Sequence, residues 1–196
     1  MCIFHVHSST IGTFTIQEGV VYLCYSIDTG ALADHPNVPN KNPNATVRTV
    51  NELMSLDSSV TQIIIDNGIG EPSFTVLDLT RFTQLRSLEI GDHCLSHVTK
   101  VKLIGLNELE SVEIGMNCFT KHKNSAGSDS NRHFYLKNCP KLKSLKMGRY
   151  SFSDYTVIEI ENVDALEVIE MGDLNEDSYH FYGASLELKS VLIHSE

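Results

Sequence analysis

Four segments of this chain superimpose on one another without gaps. LRSLEIG at 85–91, LESVEIG at 109–115, LKSLKMG at 142–148 and LEVIEMG at 166–172 share the form L-x-x-[LVI]-x-[IM]-G. Their leading leucines lie 24, 33 and 24 residues apart, so the middle interval is a 24-residue unit with a nine-residue insertion. Two weaker copies flank them, VTQIIID at 60–66 and LKSVLIH at 188–194. A repeat of this length is one small supersecondary unit that cannot bury its own apolar face, so successive units have to stack.

Six to eight residues before each leucine stands an apolar-x-apolar triplet: Leu77-Asp78-Leu79, Val101-Lys102-Leu103, Phe134-Tyr135-Leu136 and Ile158-Glu159-Ile160. Such triplets read as short strands with alternating faces. After the glycine comes a small residue and then a large apolar one, in Cys94-Leu95, Cys118-Phe119 and Ser151-Phe152. The pattern predicts a mainly β fold: a leucine-rich-repeat solenoid of about five to six coils with two short strands per coil, plus a small N-terminal β segment. Like-numbered residues then form inward columns, with Leu85, Leu109, Leu142, Leu166 and Leu188 in one of them. Glycine at the end of each copy is expected to allow a tight corner or a positive φ.

The outward positions carry Arg86, Glu110, Lys143, Glu167 and Lys189 in one column and Glu89, Glu113, Lys146, Glu170 and Leu192 in another. Opposite charges at strand spacing contribute about 0.2 to 1 kcal/mol each, and like charges cost a similar amount. Between them runs a serine column, Ser87, Ser111, Ser144 and Ser190, broken by Val168, read either as a solvated surface or as a platform for a ligand.

The remaining chain divides around the repeats. Residues 11–27, within a 1–27 N-terminal segment, alternate about Gln17-Glu18-Gly19 and predict a β-hairpin. The stretch 28–46, with Pro36, Pro39 and Pro43 among four asparagines, predicts a linker. Residues 47–59 predict a short amphipathic capping helix, and 60–196 the repeat array. The insertion at 121–131, KHKNSAGSDSN, is polar and predicts a projecting loop.

A formal charge of −10 argues against a general nucleic-acid or anionic-membrane binder, which needs a basic face. No run of apolar residues is long enough for a membrane-spanning helix. The start, MCIFHVHSST, has no basic region ahead of an apolar one and reads poorly as a secretory signal, so a cytoplasmic location is expected. Five cysteines without a CxxC fit neither a disulfide framework nor a zinc ribbon. His5-x-His7 lacks a third ligand, and His93 and His97 flank a cysteine that the repeat places inward. No nucleophile elbow, zincin, Walker or dinucleotide motif is present. No catalytic, metal or cofactor residue is therefore assigned, no cofactor is expected, and an enzyme is not.

The wording L-x-x-L-x-I-G, followed by a small residue and Phe and preceded by Asn138-Cys139-Pro140-Lys141-Leu142, resembles the BspA-like leucine-rich repeats of protist type. The resemblance covers roughly 60–196. It implies a curved repeat protein that binds other proteins, in some members at the cell surface, and it brings no catalytic residue with it.

The function expected is that of a non-enzymatic scaffold recognising a protein partner through the strand face and the 121–131 loop. Candidate contacts are Ser87, Glu89, Ser111, Glu113, Ser144, Lys146 and Glu170, with Lys121, His122 and Lys123 from the loop. The alternative is a surface adhesin or receptor ectodomain fragment of a longer array. A hydrolase using His and Asp side chains would require a deep pocket with perturbed titratable groups.

Overall fold

A computed structural model describes residues 2–5, 43–122, 129–172, 178–181 and 184–189. The strands are β1 (Cys2–His5), β2 (Asn44–Val47), β3 (Gln62–Ile65), β4 (Val76–Asp78), β5 (Ser87–Ile90), β6 (Lys100–Ile104), β7 (Ser111–Ile114), β8 (Asp129–Lys137), β9 (Ser144–Met147), β10 (Tyr155–Glu161), β11 (Val168–Met171) and β12 (Ser185–Lys189). Among the described residues there is one helix, α1, spanning Val50–Ser55. The strands form two sheets: a larger one of seven in the order β1-β11-β9-β7-β5-β3-β2, and a smaller one of five in the order β12-β10-β8-β6-β4. From β3 onward the chain alternates between them, and every pairing in both sheets is parallel except that of β1 with β11.

The leucine-rich-repeat solenoid of five to six coils is not what forms. In leucine-rich repeats each strand is joined to a helix or 3₁₀ segment. Here the second element of each repeat is itself a strand in a full parallel sheet, reaching nine residues in β8 and seven in β10 against four in β7, β9 and β11. The reason lies in the triplets. Phe134-Tyr135-Leu136 and Ile158-Glu159-Ile160 alternate strictly, and both apolar members of each are buried. An apolar pattern of period two on both halves of the unit builds two stacked sheets with one interior between them.

Register explains the interior. In the larger sheet Ile63, Leu88, Val112, Leu145 and Ile169 pair in succession, as do Ile65, Ile90, Ile114, Met147 and Met171. In the smaller sheet Leu77, Val101, Phe134, Ile158 and Leu186 pair, and Leu103, Leu136, Ile160 and Leu188. Leu85, Leu109, Leu142 and Leu166 are all buried. Leu188 does not continue that column: it lies in β12 of the smaller sheet, opposite Ile160. A short apolar-x-apolar run does not by itself reveal which of the two sheets it joins. Each large side chain removed from water contributes roughly 1.5 to 3 kcal/mol, so these columns dominate stability.

The corners carry the unusual backbone. His93, Asn117 and Tyr150 have φ of 60°, 56° and 61°, and two residues later Leu95, Phe119 and Phe152 have 59°, 57° and 59°. Each corner bonds to its neighbour, with the Phe119 N–H donating to the Cys94 carbonyl at 2.9 Å and the Phe152 N–H to the Cys118 carbonyl at 3.0 Å. The glycines ending the repeats serve a different purpose from the one expected. Gly91, Gly115 and Gly148 do not have positive φ, but a Cβ on Gly115 would lie 2.8 Å from the Asp92 nitrogen, and one on Gly148 2.5 Å from the Met116 nitrogen. Close backbone approach between successive repeats excludes a side chain there. Only the last of the four, Gly172, combines a positive φ of 76° with crowding.

α1 begins with an N-cap: the Thr49 hydroxyl accepts the Glu52 N–H at 3.1 Å, and the Glu52 carboxylate reaches back past the cap to accept the Arg48 N–H at 2.7 Å. It buries Val50 and Leu53. Asn44 starts β2 inside the stretch read as a linker, pairing with Gln62. The hairpin expected at 11–27 lies outside the described residues, as does most of the 28–46 stretch.

Candidate functional site

The period-two pattern that buries Leu88 and Ile90 necessarily turns Ser87 and Glu89 to the other side of the larger sheet. Register then assembles the outward residues. Ser87 pairs with Ser111 and Ser111 with Ser144, and the Ser111 hydroxyl donates to the Ser87 hydroxyl at 3.3 Å. All three serines are half-buried. Beside them Glu89, Glu113, Lys146 and Glu170 follow one another in register. The first three are exposed and Glu170 is half-buried.

The charges do not pair evenly. Lys146 Nζ lies 3.5 Å from Glu170 Oε2. Glu89 and Glu113 stand side by side with no ion pair to either among the described residues. The flanking column neutralises itself better: Arg86 approaches Glu110 at 3.8 Å and Glu108 at 4.0 Å, and Lys141 Nζ is 2.8 Å from Glu108. Where β7, β9 and β11 end, an open groove of about 390 Å³ is lined by Asp92, Glu113, Met116, Lys146, Arg149 and Glu170. Three of the seven candidate strand residues thus meet at one groove.

The loop candidates fall elsewhere. Lys121 and His122 are exposed, at the end of the corner that follows β7, and Lys123 lies outside the described residues. The backbone N–H groups of Lys121 and His122 donate to Asp154 Oδ2 at 3.1 and 3.4 Å. Asp154 Oδ1 is in turn 3.4 Å from Arg132 Nη1, and both side chains are almost fully buried. Arg132 also donates to the carbonyls of Phe119 at 3.0 Å, Ser96 at 3.1 Å and Val98 at 3.3 Å. Its guanidinium sits 5.6 Å from the centre of the Tyr155 ring, and the Tyr155 hydroxyl donates to the Val98 carbonyl at 2.8 Å. Burial pushes the Tyr155 phenol well above its ordinary range. Sequence reading missed this anchor, because no repeat spacing connects residue 132 to residue 154. A lone arginine directly after the polar insertion, two residues before Phe134, was the one available signal.

None of the titratable groups displaced from ordinary values is among the residues that line the groove. Cys94, Cys118 and Cys139 are free and buried. Cys118 Sγ approaches the Gly91 carbonyl at 2.9 Å, and in the next repeat Ser151 Oγ donates to the Gly115 carbonyl at 2.7 Å. The neighbouring Cys94 thiol, together with burial, holds Cys118 far above the usual thiol range. Burial pushes Cys139 up to about 11. Burial also lowers His180 to about 4, although its Nδ1 lies 2.9 Å from the Ser151 carbonyl. On the outer face of the smaller sheet, Glu159 and then Glu161 raise Lys137. Among the described residues no group of three or more His, Cys, Asp or Glu side chains is placed to hold a metal. No helix among them is long and apolar enough to cross a membrane.

No protein-family model, curated protein or solved structure matches this chain significantly.

Proposed function

We propose that this chain is a non-enzymatic protein-binding module, and that it recognises a protein partner through the outer face of the larger sheet. The observation that carries the reading is the pairing of Glu89 with Glu113. Two exposed carboxylates stand in register on neighbouring strands with no ion pair to either among the described residues, because Lys146, the next residue in register after Glu113, pairs with Glu170 instead. Such a pair costs the fold about 0.2 to 1 kcal/mol. A lysine or arginine on a partner would relieve that repulsion and gain charge-assisted hydrogen bonds. The serines beside the carboxylates leave the approach low, and the groove beyond Glu113 offers a mixed-charge end wall of Lys146, Arg149 and Glu170. Lys121 and His122, tied to Asp154 through their backbones, are the further contacts proposed for the same partner. The test is recovery of protein partners on the immobilised chain beside its Glu89→Gln/Glu113→Gln variant. The reading expects the variant to melt at the same or a slightly higher temperature and to lose partners by tenfold or more. Equal recovery on both would overturn it.

A further inference from the structure

β1 differs from the other described strands in two respects. It is the antiparallel one, pairing Cys2 with Met171, Ile3 with Glu170, Phe4 with Ile169 and His5 with Val168. It also sits at the opposite end of the larger sheet from β2, the next described strand, with residues 6–43 between them in sequence. Neighbouring strands are about 4.8 Å apart, so the six intervals from β1 to β2 span roughly 29 Å. Thirty-eight residues reach several times that distance at about 3.3 to 3.6 Å each. The same length of chain therefore reaches the β11 edge of an adjacent molecule.

Without β1, β11 would present a row of unpaired N–H and C=O groups at the end of a parallel sheet. The cost of closing a loop grows only as about (3/2)RT ln n, so a long connection neither forces β1 onto its own β11 nor forbids another. Four residues, joined to the stack through backbone pairing at one edge, make a small share of the cooperative unit. Their register also sets what the edge accepts: Cys2 and Phe4 fall opposite Met171 and Ile169, which belong to the interior of the stack.

We propose that the β11 edge is a strand-acceptor site, filled in cis by Cys2–His5 and open to the same strand from a second copy of this chain. The ligand it takes is an extended segment running antiparallel to β11, with apolar residues opposite Ile169 and Met171. Reciprocal exchange between two copies closes into a symmetric pair. The proposal goes beyond recognition by the sheet face; the two share Glu170, which lines the groove and lies opposite Ile3, but the carboxylates that carry that reading, Glu89 and Glu113, lie on β5 and β7, so strand binding at β11 is tested separately.

The experiment uses the full chain and a full-length Ile3→Pro/Phe4→Pro variant. Successive N–H groups of a strand point to opposite sides, so whichever one faces β11 is removed. The probe is a fluorescent peptide carrying residues 1–10 with Cys2→Ala, which keeps an apolar residue opposite Met171. The expected result is one-to-one binding to the variant at least tenfold tighter than to the unsubstituted chain, in which the tethered strand competes. A peptide bearing the two prolines should bind neither. Equal affinity for both chains would overturn the proposal, as would no binding to a variant that still melts cooperatively. A variant that no longer folds would overturn it too, because a replaceable strand requires a stack that persists without it; hydrogen exchange at Leu88 and Val112 in the variant reads this directly.

Discussion

Phe119 and Phe152 stack face to face across one repeat interval, their ring centres 4.6 Å apart and their planes 9° from parallel, while both backbones hold left-handed φ values of 57° and 59°. A bulky residue in that region is strained by about 1 to 3 kcal/mol. Burial of each ring and the stacking of the pair offset it. Phe181 extends the stack, 5.1 Å from Phe152. Phe152→Ala should therefore cost about 3 to 5 kcal/mol in denaturant unfolding. A loss below 1 kcal/mol would mean that the aromatic stack does not hold the corners.

Gly115→Ala is predicted to destabilise by about 1 to 3 kcal/mol, because its Cβ meets the Asp92 nitrogen and the Gly91 carbonyl carbon at 2.8 Å, both backbone atoms that cannot swing aside. Gly68→Ala, where nothing lies within 4 Å, should show only the smaller penalty of its φ of 73°. Thermal melts of the two variants side by side separate close approach from backbone conformation.

Cys118 and Ser151 occupy equivalent positions and both approach a carbonyl of the preceding repeat, those of Gly91 and Gly115. Cys118→Ser should then change stability by about 1 kcal/mol or less. Cys118→Val, with an extra methyl and no donor, should cost about 1 to 3 kcal/mol. Thiol labelling of Cys94, Cys118 and Cys139 in the native protein should proceed only as fast as the structure opens; rapid labelling would contradict their burial.

Asp154→Asn leaves the buried Arg132 guanidinium with only the exposed carboxylate of Asp129, 3.5 Å from its Nε, and should cost about 3 kcal/mol, the low end for breaking a buried pair. The damage should concentrate at the root of the insertion, since Asp154 also accepts the N–H groups of Lys121 and His122. Hydrogen exchange at residues 120–122, compared with Leu88 and Val112, checks this. Uniform protection in the variant would contradict it.

His180 favours its neutral form in the folded state, with a value near 4 against about 6.5 when unfolded. Its contribution is therefore fully present above pH 6.5 and is lost as the pH falls toward 4, to a ceiling on the order of 3 kcal/mol. Melting temperature should drop across that interval, and His180→Gln should flatten the drop.

The inward columns were legible in the sequence because Leu88, Val112, Leu145 and Ile169 repeat at fixed intervals, and interval alone determines register once strands stack in parallel. The leucine-rich-repeat assignment failed because the same intervals fit any stack of short units. What distinguishes the architecture is the second element, and Phe134-Tyr135-Leu136 sits within a nine-residue strand whose length the triplet did not reveal. Leu188 was misplaced for the same reason. β2 was hidden by Pro43 and the asparagines around it. Of the candidate contacts, Glu89, Glu113 and Lys146 could be brought into one column from spacing. Their uneven pairing could not, because which carboxylate Lys146 chooses depends on side-chain reach rather than on period. The Arg132–Asp154 anchor was invisible because it joins the residue directly after the insertion to a corner of the next repeat.

The most direct test of recognition by the larger sheet is photo-crosslinking from position 111 in the full chain, exposed to extract of the cells that make it, with position 135 on the smaller sheet as the comparison. Protein adducts are expected from residue 111, suppressed by Glu89→Gln/Glu113→Gln, and none above background from residue 135. Adducts of equal yield from both positions, or none from residue 111, would contradict the account.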